Sequence, residues 1–415
     1  MELPLPDTQK LNEPLANVFM NETAPPPVIN GWERKWVDLR IKTRFLLTAL
    51  QCYHSPRIAL QVIRKLIKFK QDINGRKEIR RCVKNGNRYF FSMYIPGFPS
   101  GLFNRYIRTE MNFIRPHQQP VNHLQVLQLA ITSRCPLKCE HCFEWDNLNK
   151  EEPFNTEQLH ELICKFKNEG LSQLHLTGGE PMVNISRLLE LINRSATSLE
   201  YYVLSAGLNI TRENALRLKQ AGATGIIISL DHSDPEMHNR FRGSAQAWRQ
   251  AVTAVINARK AGLITALSLC VTREFISKNN LYEYAKIASE LGVGFVQLLE
   301  PKAVGHYTNK PVLLNREQLN LLEEFYTDMN FNPAYRHYPV FLYHGHHQRK
   351  LGCMSAGKRI LYIDAAGHID ACPFCQTRKY EAAAILSGRL KIKNIDLGKC
   401  PEYPDKSAPS QWNEN

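Results

Sequence analysis

Three cysteines, Cys135, Cys139 and Cys142, form a C-x3-C-x2-C triplet just after an apolar run. Three thiolates this close along the chain can hold three irons of a [4Fe–4S] cube and leave the fourth iron without a protein ligand. An iron with an open position can bind a small molecule and pass it an electron, so the triplet marks a reaction centre. Electron-transfer ferredoxins use other spacings and a fourth cysteine. The rival is zinc, which favours four ligands drawn from C-x2-C-like pairs or Cys/His mixtures. His141 is the nearest extra donor, but it lies inside the Cys139–Cys142 pair, where a tetrahedral site closes poorly.

A second set follows near the C-terminus: Cys353, Cys372, Cys375 and Cys400. Between the first two, residues 359–370 read as a β-hairpin turning at Ala365-Ala366-Gly367, which brings Cys353 and Cys372 toward each other. Four cysteines with one C-x2-C pair suit one iron–sulfur cluster or a structural Zn²⁺. Cys52, Cys82, Cys164 and Cys270 have no metal spacing and read as buried thiols.

The elements that position these groups begin at residue 124. Candidate strands at 124–132, 173–176, 200–204, 225–230, 265–271 and 294–299 alternate with helical patterns near 156–169, 185–196, 211–221, 245–261, 279–291 and 316–329. Such alternation implies a parallel α/β sheet with right-handed crossovers. Six units are too few for a closed eight-fold barrel, so the expected fold is a partial (βα)6 TIM-type barrel. The expected domains are a basic N-terminal helical extension (1–123), the barrel (124–330) and a small cysteine-rich domain (331–415). In parallel α/β folds the chemistry collects at the C-terminal strand ends. There stand the cysteine loop, Gly178-Gly179-Glu180-Pro181, Ser205-Ala206-Gly207, Ser229-Leu230-Asp231 and Glu300-Pro301.

Residues 124 to about 305, with these motifs in this order, resemble the radical S-adenosylmethionine (radical SAM) superfamily. The segment Pro235…His238-Asn239-Arg240-Phe241-Arg242-Gly243 resembles the one that follows the fourth strand in peptide-modifying members. The resemblance implies a [4Fe–4S] cluster on Cys135, Cys139 and Cys142 whose open iron is chelated by SAM. Reductive cleavage of SAM to a 5′-deoxyadenosyl radical then abstracts a substrate hydrogen, with the protein supplying orientation and exclusion of water. It further implies that Gly178, Gly179, Glu180 and Pro181 meet the SAM amino group. Ser229 and Asp231 would lie near the ribose and methionine part; Arg242 is a candidate carboxylate contact, with a solvated surface charge as its ordinary reading. Ser205 occupies the end of the third strand, where many relatives have Thr-Asn-Gly. Taken one by one, the glycine stretch also reads as a strand-to-helix turn with Pro at the helix start, and Ser229-Leu230-Asp231 as a helix cap.

Cys353, Cys372, Cys375 and Cys400 resemble the start of the SPASM and twitch extensions of peptide- and aminoglycoside-modifying members. A full SPASM extension has seven cysteines and two clusters. The four here imply one auxiliary iron–sulfur cluster, with zinc as the alternative. The leading expectation is an enzyme that modifies a peptide or peptide-like substrate, supplied with electrons by a donor such as flavodoxin or ferredoxin. Glu300 is the candidate proton acceptor or polar substrate contact, with a salt-bridged carboxylate as its ordinary reading. The alternatives are a radical SAM enzyme on a small metabolite of cofactor or sugar biosynthesis, and a non-catalytic metal-binding adaptor.

At 415 residues and 43% hydrophobic content the chain has room for two or three globular domains. No apolar run reaches ~18 residues, so no transmembrane segment is expected, and Met1–Lys10 does not read as a signal peptide. Metal-type cysteine spacing fits a reducing cytoplasm. The net charge is +14, of which +11 falls in the first 120 residues (twenty Lys/Arg against nine Asp/Glu). Within it, residues 59–70 form a basic amphipathic pattern, a surface helix that offers peripheral contact with an anionic membrane or an acidic partner. Nucleic acid ranks low, because no RNA-binding module accompanies the charge. Residues 24–27 and the tail from Asp405 read as linkers, and the aromatic stretch 88–94 as a strand closing against the barrel.

Overall fold

A computed structural model describes residues 27–74, 78–118, 124–195, 198–353 and 357–404. The tail from Asp405 and most of the proline stretch lie outside the described residues.

The N-terminal extension is mixed rather than wholly helical. It runs β1 (Val28–Ile29), α1 (Gly31–Tyr53), α2 (Pro56–Asn74), β2 (Cys82–Asn85), β3 (Arg88–Phe90) and α3 (Gly101–Ile114), with the strands in an antiparallel sheet β1-β2-β3. The strands are two to four residues long, below the length at which alternation is visible. Arg81 ties this unit to the barrel. Its guanidinium is buried and donates to the carbonyls of Met329 (2.7 Å), Pro339 (2.8 Å) and Tyr335 (2.9 Å).

The barrel region runs β4 (Val126–Ala130), α4 (Thr156–Asn168), β5 (Gln173–Thr177), α5 (Ile185–Asn193), β6 (Glu200–Ser205), α6 (Arg212–Ala221) and β7 (Ala223–Ser229). It continues with α7 (Pro235–Arg242), α8 (Ala247–Lys260), β8 (Ile264–Cys270), α9 (Lys278–Glu290), β9 (Phe295–Leu299) and α10 (Arg316–Phe331). Every residue of β4 and β5 is buried, as expected of parallel strands covered on both faces. Helix starts are set by side chains that accept from otherwise unpaired backbone N–H groups. Asn155/Gln158 and Asn315/Gln318 form reciprocal capping boxes, and Asp234 caps α7 ahead of Pro235.

The remaining elements are β10 (Val340–Tyr343), α11 (His344–Leu351), β11 (Ile360–Ile363), β12 (His368–Asp370), β13 (Tyr380–Glu381) and α12 (Ala382–Leu386). The expected six parallel strands become eight, in the order β10-β9-β8-β7-β6-β5-β4-β11. The strands at both edges come from beyond residue 331: β10 pairs parallel with β9, and β11 with β4. Each has four residues, too short for an apolar run to announce it. The expected 359–370 hairpin is present as β11–β12, with Gly367 at φ +88° in its turn. The hairpin therefore extends the barrel sheet instead of standing apart from it.

The segment after β3 reaches into the barrel base. Phe90 and Met93 pack with Tyr202, Ile227, Ile264, Phe295 and Val340. Gly225 makes room there, since a Cβ would come within 2.8 Å of the Tyr202 ring.

Candidate active site and metal centres

The cysteine loop leaves β4 and is clasped by three other segments. The first is the Gly178–Pro181 turn after β5, whose Gly179 and Glu180 N–H groups donate to the carbonyls of Thr132 and Arg134, each at 2.8 Å. A Cβ on Gly178 would lie 2.3 Å from the Thr132 oxygen, and one on Gly179 2.4 Å from that of Arg134. The close approach these glycines permit is thus to the cysteine loop itself. The second clasp is the end of α7, where the Phe241 carbonyl accepts from Glu140 N–H at 3.0 Å. His141 stacks on Phe241, with ring centroids 4.6 Å apart. Third, the turn after β9 donates His306 N–H to the Cys142 carbonyl at 2.9 Å, and His306 stacks on Trp145. Within the loop, Asn149 closes a reciprocal pair with the Cys135 backbone.

Cys135, Cys139 and Cys142 line a cavity of about 280 Å³. Its walls also carry Gly178, Gly179, Glu180, Ser205, Ser229, Asp231, Arg242 and Glu300, and from the C-terminal set Cys353 and Cys372. Of the remaining expected site residues, Pro181 starts the short helical turn that follows Glu180 and is buried. Cys375 and Cys400 stand just beyond the wall, their sulfurs 3.7 Å apart.

Several expected cofactor residues are engaged with one another. The buried Glu180 carboxylate accepts from Ser205 Oγ (2.7 Å) and from the N–H groups of Ala206 (2.8 Å) and Met182 (3.1 Å). Burial pushes its pKa up to about 7 against those donors. Asp231 accepts Arg242 Nε at 2.6 Å and Cys270 N–H at 3.0 Å. Burial opposes its charge most strongly, but Arg242, His141, His238 and the Cys270 N–H together hold it below the usual carboxylate range. The Asp231 N–H donates to His238 Nδ1 at 3.0 Å. Arg242 in turn reaches Cys139 Sγ with Nη1 at 3.6 Å, so a chain of contacts runs from β7 through α7 to the triplet.

Glu300 sits in an ion cluster. Its carboxylate pairs with Arg349, accepts Tyr343 Oη at 2.7 Å and Tyr403 Oη at 3.2 Å, and lies 3.4 Å from Lys302 Nζ. Burial would raise its pKa, but Lys302 and Arg349 bring it below the usual value. A carboxylate so held is a fixed anion of the wall and a poor proton acceptor.

Other cavity residues carry no motif. Tyr94, from the N-terminal extension, accepts from Gln297 Nε2 at 2.8 Å and contacts the His344 ring edge-on. Ser229, Ser268 and Gln297 stand in register across β7, β8 and β9. A polar residue in an apolar strand, repeated at one level in three strands, is the signal that could have found the last two. Tyr94 belongs to the aromatic stretch 88–94 expected to close against the barrel, but no spacing marked it as a cavity residue.

The donor set fits the expected groups. Burial pushes the Cys135 and Cys142 thiols up, and a bound cation would favour their thiolate form. Among the described residues no three Cys, His, Asp or Glu side chains gather as a single small ion requires. The 3.7 Å between Cys375 and Cys400 matches the about 3.8 Å edge of a tetrahedron with 2.3 Å metal–sulfur bonds. The Cys372–Gln376 loop leans on the cysteine loop, through Gln376 Nε2 to the Phe143 carbonyl at 3.1 Å and a Phe143–Phe374 ring contact.

A family model for the radical SAM superfamily matches residues 129–285. The chain is similar to the GTP 3′,8-cyclase of Aquifex aeolicus, 24% identical over 49% of this chain and 66% of that protein. It is also similar to the mycofactocin maturase MftC of Mycolicibacterium smegmatis, 27% identical over 63% of this chain and 67% of that one. The chain spans about two thirds or less of the length of the curated relatives it matches. Its fold resembles that of Streptococcus suis SuiB bound to the precursor peptide SuiA, with a TM-score of 0.52, 15% identity, and coverage of 89% of this chain and 81% of that one. Residues 129–285, which carry the cysteine triplet, the glycine turn and the Ser229–Asp231 strand end, match the radical SAM superfamily as a domain.

Proposed function

We propose that the chain is a radical SAM enzyme that modifies a peptide or peptide-like substrate. The observation that carries this reading is the shared cavity, bordered by the triplet cysteines and by Cys353 and Cys372. Cys135, Cys139 and Cys142 would hold the [4Fe–4S] cluster, with the Gly178–Pro181 turn, Ser205, Ser229 and Arg242 bordering SAM. When bound, these groups supply reductive cleavage of SAM and hydrogen abstraction from the substrate by the resulting 5′-deoxyadenosyl radical.

The chain's own residues orient and enclose. Glu180 fixes the turn after β5 by drawing Ser205 and the Ala206 N–H onto one carboxylate. Asp231 holds the Arg242 guanidinium toward Cys139, and so acts through Arg242 rather than on SAM directly. Glu300 is the fixed negative charge facing the substrate side, and Tyr94, Gln297 and His344 form the cavity floor. Cys353, Cys372, Cys375 and Cys400 would hold one auxiliary metal group, an iron–sulfur cluster on the family resemblance, with zinc as the alternative. The domain reading is an N-terminal extension to 123, the barrel, and a C-terminal unit from 331 that lends two strands to the barrel sheet. A cytoplasmic setting and a flavodoxin- or ferredoxin-like electron donor go with this chemistry. No helix among the described residues is long and apolar enough to cross a membrane.

A peptide substrate is supported by the likeness to SuiB, solved with its precursor peptide, and to a protein named a maturase. A small-metabolite substrate is the second reading, favoured by the similarity to a GTP 3′,8-cyclase. Anaerobically reconstituted protein given dithionite and SAM should form 5′-deoxyadenosine. A short peptide encoded beside the gene should raise that yield and change in mass. Turnover stimulated by GTP and indifferent to the peptide would favour the second reading, and intact clusters without any 5′-deoxyadenosine would overturn both.

A further inference from the structure

Helix α1 has two apolar faces where its packing uses one. Val37, Ile41, Phe45 and Ala49 pack into the core of the N-terminal extension. On the opposite side stand Trp32, Trp36, Leu39 and Leu47, exposed to 85%, 59%, 55% and 47%, with Leu46 beside them. At 3.6 residues per turn these fall in one stripe along the helix. The rows flanking it are cationic, with Lys35 and Lys42 on one side and Arg40 and Arg44 on the other. The acidic side chains of α1 are both engaged within the protein: Glu33 accepts Lys84 Nζ at 2.7 Å and Asp38 pairs with Arg34. Lys35 lies over the Trp32 ring, with Nζ 4.6 Å from its centroid. The adjoining α2 exposes Leu60 and Ile67 among Arg57, Arg64 and Lys68.

We propose that this face of the N-terminal extension docks on an anionic lipid surface, with α1 lying in the interfacial plane. The inference is independent of the proposed reaction. An exposed run of large apolar side chains marks an interaction site. Tryptophan favours the headgroup level, where its ring is buried and its N–H stays wet. Lys and Arg on the flanks extend aliphatic stems along the apolar stripe and present charge to phosphate. The stripe is the outward ridge of a helix, a shape that a fluid bilayer accommodates without a matching groove. A second copy of the chain would bring the same cationic flanks together, which disfavours self-association. The length and polarity of the helices exclude spanning among the described residues, so the attachment is peripheral.

The test is co-sedimentation of the full chain with phosphatidylcholine vesicles and with vesicles containing one quarter phosphatidylglycerol, at low and high salt. Partitioning should be at least about tenfold stronger on the anionic vesicles and should fall steeply in 0.5 M NaCl. Each basic side chain near such a surface is worth a factor of about five, so Lys42→Glu/Arg44→Glu should weaken binding by about tenfold or more. The pair Trp32→Ser/Trp36→Ser should do the same and lose the blue shift of tryptophan emission on vesicle addition. These side chains are on the surface, so an unchanged circular dichroism melt verifies folding. Equal binding to both vesicle types, or full binding by the Trp pair, overturns the proposal. Absence of vesicle binding also overturns it. In that case a wild-type dimer lost in the Trp pair would assign the face to a second copy, and binding to a poly-glutamate peptide to an acidic protein.

Discussion

Both cysteine sets contribute to one cavity, the second through Cys353 and Cys372 only, but they are held in different ways. The triplet lies in a loop whose backbone is bonded to three other segments: the turn after β5, the end of α7 and the turn after β9. The C-terminal set is spread over about fifty residues, and among the described residues its backbone ties are fewer, Cys353 N–H to the Tyr403 carbonyl at 2.9 Å and Cys375 N–H to the Cys372 carbonyl at 3.1 Å. The first loop is therefore held in place by the barrel, and the ligands proposed there would be positioned before any metal arrives. The second gathers segments that a bound metal would fix, in the way that metal binding and folding couple in small metal domains.

The sharpest way to break this contrast is to remove one ligand from each set. Cys139→Ala should abolish 5′-deoxyadenosine formation and lower iron content by about four atoms per chain, with little loss of thermal stability in the metal-free protein. Cys372→Ser should leave SAM cleavage in place, remove only the auxiliary metal, and make the region from 353 to 404 more open to proteolysis. Metal analysis of both variants and limited digestion check the pair.

Next in size is the charged link behind the triplet. Arg242→Gln strands the buried Asp231 carboxylate and should cost about 3–5 kcal/mol in a denaturant melt. Glu180 gives a pH signature. Its folded pKa of about 7 lies above the 4.5 of an ordinary glutamate, so the folded state binds the proton more tightly. That contribution is fully present below about pH 4.5 and is lost as pH rises through 7, an effect of up to about 3 kcal/mol. Metal-free wild-type protein should lose stability from pH 5 to 8 relative to Glu180→Gln, whose profile should be flatter over that range. The smallest effect separates packing at the clasp from a generic glycine effect. Gly179→Ala, whose Cβ would collide with the Arg134 carbonyl, should cost about 1–3 kcal/mol. Gly101→Ala has open space and should be near neutral.

What the sequence revealed follows the same division. The six central strands and the helices between them were legible because long apolar runs with capped helices leave few alternatives, and Asn155/Gln158 and Asn315/Gln318 start their helices where expected. Strands β10 and β11 were not recognised as barrel strands, since four residues carry no periodicity and their partners lie in distant segments. The small sheet of the N-terminal extension escaped for the same reason. At the site, motif spacing picked out cysteines and a glycine turn that the fold brings to one cavity. It could not reveal that Asp231 is committed to Arg242, or that Glu300 is enclosed by Arg349, Lys302 and two tyrosines. Those commitments depend on side chains far apart in sequence, and Tyr94 reaches the cavity only through the fold of the extension.

At the centre of the proposed function stands an open cluster site at Cys135, Cys139 and Cys142, against a cavity that would take SAM. The direct measurement is the electron paramagnetic resonance spectrum of anaerobically reconstituted, dithionite-reduced protein, recorded with and without SAM in the wild type and in Cys372→Ser. A reduced [4Fe–4S] signal that shifts on adding SAM in both proteins is the predicted result. A signal indifferent to SAM, or one that disappears with Cys372 while Cys139→Ala leaves it intact, would contradict it.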